Sequence, residues 1–457
     1  TRDLLEAETF LSARGSDWRT WHVLDLQTKQ PLADELPWSK FSGASWTHDG
    51  KGFFYTRYDA PKEGEVYQAQ NKTPKLCYHV LGAQQADDRV VYERPDQPDW
   101  GLSGNVTEDG RFCIVNLSVG TDRRNRIAYI DLTADGMAVQ PLLMKFDAGY
   151  RFLGNDGDLF YFLTVLDAPR NRIVAVDRRT PDAAKWQTLV PESKDALQSA
   201  RVVADRFACI YLRDACHEVQ LFGLDGKALG ALDLPGLGAV SGLSGKRADP
   251  FAFYTFSSFL SPPTIYRHDF AANKSTVFRA PQFDFDAAPF EVERVFPQSK
   301  DGARLCLFVV HRKGIALDGS HPTYLYGYGG FNISMTPAFS VSNLVWVERG
   351  GVLAWAIPDG VSAEVVDPRT LVPLDTEAIL GSVGRTGRLV VADECHQSCG
   401  VAAEISALVA EHAFDSLRGP IRRVVTLDVP IPFSPPLETF VEPTTAKIVE
   451  AARSLVG

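Results

Sequence analysis

The feature that most constrains this chain is a repeat. An Asp-Gly or related turn followed by a short apolar run returns about every 45 to 60 residues through the first two thirds of the sequence. Trp46-Thr47-His48-Asp49-Gly50-Lys51-Gly52-Phe53-Phe54-Tyr55 is one instance, and Thr107-Glu108-Asp109-Gly110-Arg111-Phe112-Cys113-Ile114-Val115 is the next. Asn155-Asp156-Gly157-Asp158-Leu159-Phe160-Tyr161-Phe162 and Ala204-Asp205-Arg206-Phe207-Ala208-Cys209-Ile210-Tyr211 follow. Asp-Gly between apolar alternations is a strong hairpin signal, because the turn needs positive φ and Gly supplies it without strain. A second strand-like run trails each unit and ends at or near an Asp, as in Arg126-Ile127-Ala128-Tyr129-Ile130-Asp131 and Arg172-Ile173-Val174-Ala175-Val176-Asp177. The period is that of a four-stranded propeller blade. A pair of β-sandwiches is the alternative, and persistence over about five units favours the propeller. No long helical periodicity intervenes before residue 375. A propeller is a scaffold, so any chemistry must be argued from side chains placed on it.

Composition narrows the class of function. Hydrophobic residues make up 45% and charged residues 23%, which fits a globular chain with a sizeable core rather than a disordered one. The net charge of −10 argues against nucleic acid as a partner, since phosphate neutralisation needs a basic surface. No apolar run reaches the roughly 20 residues of a membrane span, so no membrane partner is expected. No charged-then-apolar segment stands at the N-terminus, and the chain starts with Thr1 rather than Met, which points to a processed or partial chain. The seven cysteines are odd in number and mostly scattered in apolar runs. Free thiols in a reducing, cytoplasmic compartment are the expectation.

The run from His311 to Asn332 is the most specific in the chain. It contains Tyr326-Gly327-Tyr328-Gly329-Gly330-Phe331, whose closely spaced glycines permit a sharp backbone path after the strand-like residues 323–326. Such a path can aim a phenol at one point, where it could stabilise a tetrahedral oxyanion. A turn whose aromatics only pack is the plainer alternative. The run resembles the prolyl oligopeptidases, serine peptidases that cut short peptides after proline. Gly15-Ser16-Asp17-Trp18, Phe41-Ser42-Gly43-Ala44-Ser45-Trp46, Tyr78-His79-Val80-Leu81-Gly82 and Phe256-Ser257-Ser258-Phe259-Leu260-Ser261-Pro262 extend the likeness over residues 11–356. The resemblance implies a seven-bladed propeller capping an α/β-hydrolase domain, with about one blade missing at the front. Residues 1–10 fall outside it, and Leu4-Leu5-Glu6-Ala7-Glu8 reads as helical. By resemblance, Tyr328 matches the oxyanion-stabilising Tyr, Phe331 matches a wall of the proline pocket, and short proline-containing peptides are the expected ligands.

A hydrolase of that fold needs a Ser on a Gly-x-Ser-x-Gly elbow, then an Asp, then a His. No Gly-x-Ser-x-Gly occurs in the 457 residues. Where the family continues with a Gly-rich, Arg-containing run, this chain has Ile357-Pro358-Asp359-Gly360. The remaining histidines, His396 and His412, lack a glycine-flanked setting. Cys395, His396 and Cys399 are too few and too close together for a convincing zinc signature, and Cys395 follows an acidic pair that disfavours a thiolate. No metal and no cofactor is expected, and the chain reads as catalytically incompetent alone.

The text changes character near residue 358. Strand-like and helical runs then alternate as in a parallel α/β sheet: residues 360–366, a helix from Leu374, the strand Arg388-Leu389-Val390-Val391-Ala392, a helix over 399–418, a strand from Arg422 and a last helix over 445–456. Arg369-Thr370-Leu371-Val372-Pro373-Leu374-Asp375 and Pro430-Ile431-Pro432-Phe433-Ser434-Pro435-Pro436-Leu437 resemble the transketolase-like C-terminal domain of 2-oxoacid dehydrogenase beta subunits. In those thiamine-diphosphate-dependent enzymes this domain helps subunits associate, while other domains hold the cofactor. The resemblance implies an alpha subunit or an acyltransferase core as partner through residues 358–457. The whole is therefore expected to be mainly β and a hybrid: an incomplete seven-bladed-type propeller over 1–285, a truncated α/β-hydrolase edge over 286–357, and a small α/β domain over 358–457. The strand ending at Ala356 is expected to stand in for a missing first strand of the C-terminal sheet. Three functions compete: a non-catalytic peptide-binding remnant, an active proline-specific endopeptidase, and a component of a dehydrogenase assembly.

Overall fold

Alternation along the repeat sets the architecture of the N-terminal part. The computed structural model describes all residues except 1–5, 12–16, 63–71, 284, 299–303, 317, 328–334, 358–365, 367–370, 373, 431–433, 435–436, 438–439 and 457. The chain divides into two compact units, residues 1–286 with 336–340, and residues 287–335 with 341–457.

Among the described residues of the first unit, six antiparallel sheets follow one another. A three-stranded sheet (Glu6–Leu11, Arg19–Asp25, Gln30–Ser39) is followed by five four-stranded meanders within residues 45–93, 100–143, 150–190, 196–231 and 239–279. This is the propeller. Residues 6–8 do not form the expected helix. Glu6–Leu11 is a strand, paired from Glu6↔Asp25 to Leu11↔Thr20, so sheet pairing overrides a weak local preference.

The second strand of each meander is apolar on both faces, as a sheet packed on either side requires. In Phe112–Val119, Phe112 and Ile114 face the next sheet, where they meet Phe160, Phe162, Val174 and Val176. Cys113 and Val115, on the opposite face, pack with Phe54 and Leu76 of the sheet before. Tyr161 and Leu163 repeat the pattern against Phe207 and Cys209, and Ala208 and Ile210 against Tyr254 and Phe256. One apolar layer thus lies between each pair of neighbouring sheets.

In five of these six sheets an Asp at or just past a strand end acts locally. Asp25, Asp131, Asp177, Asp225 and Asp269 each accept the backbone N–H two residues on, at 2.8 to 3.1 Å. Such an Asx turn starts the connection to the next strand. Between the first two sheets lies a buried polar network: His79 Nδ1 meets Asp88 at 2.7 Å, His79 Nε2 meets Asp34 at 2.9 Å, and Tyr55 donates to Asp88 at 2.5 Å.

The second unit opens with a mixed sheet in the order Phe290–Val295, Cys306–Arg312, Val352–Ile357, Thr323–Gly327. The last two strands are parallel and need a crossover, supplied by the helix Val341–Glu348. Trp346 of that helix donates to the Val352 carbonyl at 3.0 Å. A Cβ on Gly351 would sit 2.4 Å from the Trp346 indole, so glycine is what admits this close return. Val352–Ile357 is paired on both sides, antiparallel to Cys306–Arg312 and parallel to Thr323–Gly327. It therefore has no free edge and cannot complete the C-terminal sheet, which corrects that expectation. Of the expected first strand after the junction, residues 360–366, all but Val366 lie outside the described residues.

Further along, Val390–His396 and Arg422–Thr426 form a parallel pair. The helices Thr376–Thr386, Val401–His412 and Thr445–Val456 accompany them. Asp375 caps the first, its carboxylate accepting the Ala378 N–H at 3.0 Å. Ile379, Val383, Val391, Ala402, Ile405 and Val409 form the core here. These are the expected strands and helices of a small α/β domain.

Candidate functional site

Tyr328 and Phe331, the two residues that the sequence singles out, lie outside the described residues. The strand leading to them is described. Thr323–Gly327 runs parallel to Val352–Ile357 with Tyr326 opposite Trp355, and their rings tilt together at 4.4 Å between centroids. Gly327 approaches closely too, since a Cβ there would lie 3.3 Å from the Ala356 carbonyl oxygen. The expected strand before the glycine-rich turn is therefore in place.

A separate candidate lies wholly within the propeller. A cavity of about 1280 Å³ is lined by the first strands of three consecutive sheets, Trp100–Val106, Tyr150–Asp156 and Ala196–Val203, and by Arg247. A cavity of this size and polarity can admit a short peptide. Asn105, Arg151, Gln198 and Arg201 line it, and the side chains of Arg151 and Arg201 are exposed.

The Asp-Gly turns close one side of this cavity. Asp109 accepts from Asn155 of the next sheet at 2.6 Å. Burial opposes ionisation of Asp109, but donors from Thr107, the Arg111 N–H and Asn155 outweigh it and hold its pKa below the usual carboxylate range. Arg247 crosses from the sixth sheet: its N–H donates to Glu108 at 2.7 Å, and its guanidinium donates to the Asn155 carbonyl at 2.8 Å and to Asp205. It also lies 3.6 Å from Asp156. One arginine thus ties turns from four sheets.

In the second unit, Cys395 and Cys399 are exposed and His396 Nδ1 donates to the Leu427 carbonyl at 2.9 Å. Cys395, His396 and Cys399 do not converge as metal ligands. His412 sits exposed on its helix, 3.8 Å from Glu411. Sequence reasoning missed the Arg247 cluster, whose partner Glu108 is 139 residues away. It also missed a group formed by Glu291, Glu293 and His311.

Comparison with known proteins identifies the two parts of the chain. Residues 10–281 match the prolyl oligopeptidase N-terminal β-propeller domain, and residues 356–448 match the transketolase C-terminal domain. The chain belongs to the prolyl oligopeptidase family through its propeller and carries a transketolase-type C-terminal domain, so it is a hybrid. The prolyl endopeptidase of Elizabethkingia meningoseptica is 34% identical over 349 residues, covering 76% of this chain and 49% of that protein. Prolyl oligopeptidase ophP of Omphalotus olearius is 34% identical over 372 residues, again covering 76% and 49%. The solved apo prolyl oligopeptidase B from Galerina marginata superposes with a TM-score of 0.70 at 28% identity, covering 77% of this chain and 52% of that one. A structure from a study of two prolyl endopeptidases and their inter-domain dynamics gives 0.69 at 38% identity, covering 77% and 50%. The chain spans about half the length of the curated relatives that it matches.

Proposed function

We propose that this chain is catalytically incompetent alone and acts as a peptide-binding propeller joined to an association module. One observation carries the reading: the match to the transketolase-type domain begins at residue 356, inside the strand Val352–Ile357, where a hydrolase would run on toward its Ser elbow. The functional boundary falls near residue 357, with a propeller over 1–285 and a hydrolase edge over 286–357. The ligands are short proline-containing peptides, held in the propeller cavity. Tyr328 is the oxyanion-directed phenol and Phe331 the pocket wall of the resembled site, here without a nucleophile to serve. The compartment is the cytoplasm, in keeping with an odd number of cysteines scattered mostly through apolar runs.

Incubation with a Gly-Pro reporter substrate, with and without a serine-reactive phosphonate, tests the reading. No turnover is expected. Turnover abolished by the phosphonate would establish the alternative, an active proline-specific endopeptidase. The match over residues 356–448 favours a second reading, a role in a 2-oxoacid dehydrogenase assembly. Co-purification with an alpha subunit or acyltransferase core would support it, and no binding at micromolar concentration would count against it.

A further inference from the structure

The mixed sheet of the second unit carries a group of side chains that neither family match explains. The edge strand Phe290–Val295 pairs antiparallel with Cys306–Arg312, with Glu291 opposite His311 and Glu293 opposite Val309. Side chains alternate along a strand, so Glu291, Glu293 and His311 share one face. His311 Nδ1 lies 3.8 Å from Glu291 Oε1, and His311 Nε2 lies 3.8 Å from Glu293 Oε1. One ligand atom from each of the three falls within 4.8 Å of the others.

The imidazole is what turns an acidic pair into a site. His311 is only 3% exposed. Its Nδ1 is 2.9 Å from the Arg312 carbonyl, which can only accept, so Nδ1 carries a proton. That leaves Nε2, buried and with no hydrogen-bond partner, 3.8 Å from Glu293 Oε1. In a neutral ring, Nε2 then presents a lone pair beside Glu293, an ionised carboxylate that can itself only accept, with Glu291 within reach on the same face. A ring whose Nδ1–H is anchored on a backbone carbonyl, with a free Nε2, is the usual preparation of a histidine metal ligand.

We propose that Glu291, Glu293 and His311 bind a divalent transition-metal ion of the zinc type. Two carboxylates balance the charge of the dication. One imidazole and two carboxylate oxygens are a donor set that suits Zn²⁺ and is too poor in oxygen for Ca²⁺. Bonds of about 2.0 to 2.1 Å would bring the ligand atoms to roughly 3.3 Å apart. Glu291 and Glu293 side chains are 37% and 46% exposed, so rotation can close the gap and a fourth position stays open to water. Bound there, the ion ties the edge strand to its neighbour. The proposal is independent of peptide binding in the other unit.

The test uses the full chain, stripped with a chelator and titrated with Zn²⁺ by calorimetry, then with Co²⁺ by absorption spectroscopy. One ion per chain is expected. The Co²⁺ spectrum should show ligand-field bands without a thiolate charge-transfer band, which separates this site from Cys395 and Cys399. Glu293→Gln and Glu291→Gln keep size and fold on an exposed face, and each should weaken zinc binding at least about tenfold. A Cys395→Ser, Cys399→Ser double variant should bind as the parent does. Absence of binding at tens of micromolar zinc, binding untouched by both glutamine variants, or a thiolate band in the cobalt spectrum would each overturn the proposal.

Discussion

The two units solve burial differently. In the propeller, strands such as Phe112–Val119 and Arg206–Arg213 are buried on both faces, because each of these inner sheets is covered by the sheets before and after it. In the C-terminal part, Val390–His396 has one buried residue, Val391, and ends in exposed Glu394, Cys395 and His396. Helices cover that sheet instead, chiefly through Ala402, Ile405 and Val409. Repetition lets one solution serve every blade, whereas the α/β part depends on individual helix–strand contacts. The units are therefore expected to unfold as separate cooperative blocks.

The largest effect tests that separation. Phe162 is fully buried between two sheets, and Phe162→Ala should cost about 3 to 5 kcal/mol. Ile405→Ala, at 7% exposure in the helical core, should cost about 2 to 3 kcal/mol. Scanning calorimetry should show two transitions, with the first substitution lowering only one and the second only the other. A single transition that both substitutions lower would remove the distinction.

His79 tests the propeller by itself. It is fully buried and bonded by Asp34 and Asp88 on its two nitrogens, so it joins the first two sheets as an imidazolium. Burial works against the charged ring, but the two carboxylates outweigh it and hold its pKa above the ordinary histidine value. A group whose folded pKa is raised contributes stability that is fully present below its unfolded pKa and lost as pH rises through the folded one. The urea midpoint of the propeller transition should therefore fall as pH rises from about 6. His79→Leu strands two buried carboxylates, should cost about 3 kcal/mol, and should lose that contribution to the pH dependence.

Arg247 should matter less. Its guanidinium is 30% exposed, and its partners Asp156 and Asp205 are 64% and 68% exposed. Solvent screening limits Arg247→Ala to about 1 kcal/mol, and the difference from the parent should shrink in high salt. A loss several times larger, indifferent to salt, would mean that this residue holds the turns of four sheets together cooperatively.

What was legible follows from how local each interaction is. The Asp-Gly turns, the double-sided apolar strands and the Asp at most of the turns that follow a strand all act within a few residues, so the blade pattern could be read directly. The strand Glu6–Leu11 could not, because its pairing with Arg19–Asp25 competes with a local helical preference. Arg247 with Glu108, and His311 with Glu293, meet only through the fold, and neither carries a short motif. Tyr328 and Phe331 were legible through family likeness alone. The change of family near residue 357 was plain in the text, but the place of the strand before it was not. Only the registers show that both of its edges are occupied.

Thiols give the smallest energetic effect and the most direct comparison of the units. Cys77, Cys113, Cys209 and Cys216 are buried in the propeller, whereas Cys395 and Cys399 are exposed. Burial pushes the Cys113 and Cys209 thiols up, away from the reactive thiolate. A thiol reagent applied to the native chain should modify Cys395 and Cys399 quickly and leave the four propeller thiols untouched until urea opens the sheets. Replacing Cys395 and Cys399 with Ser should change stability by no more than about 0.5 kcal/mol, since neither packs in a core. Labelling of Cys113 at the rate of Cys395 in native buffer would mean that the propeller opens far more often than its double-sided packing allows. Two reactive thiols against four protected ones, with the protection lost in the propeller's own unfolding transition, would tie that packing to a measured opening free energy.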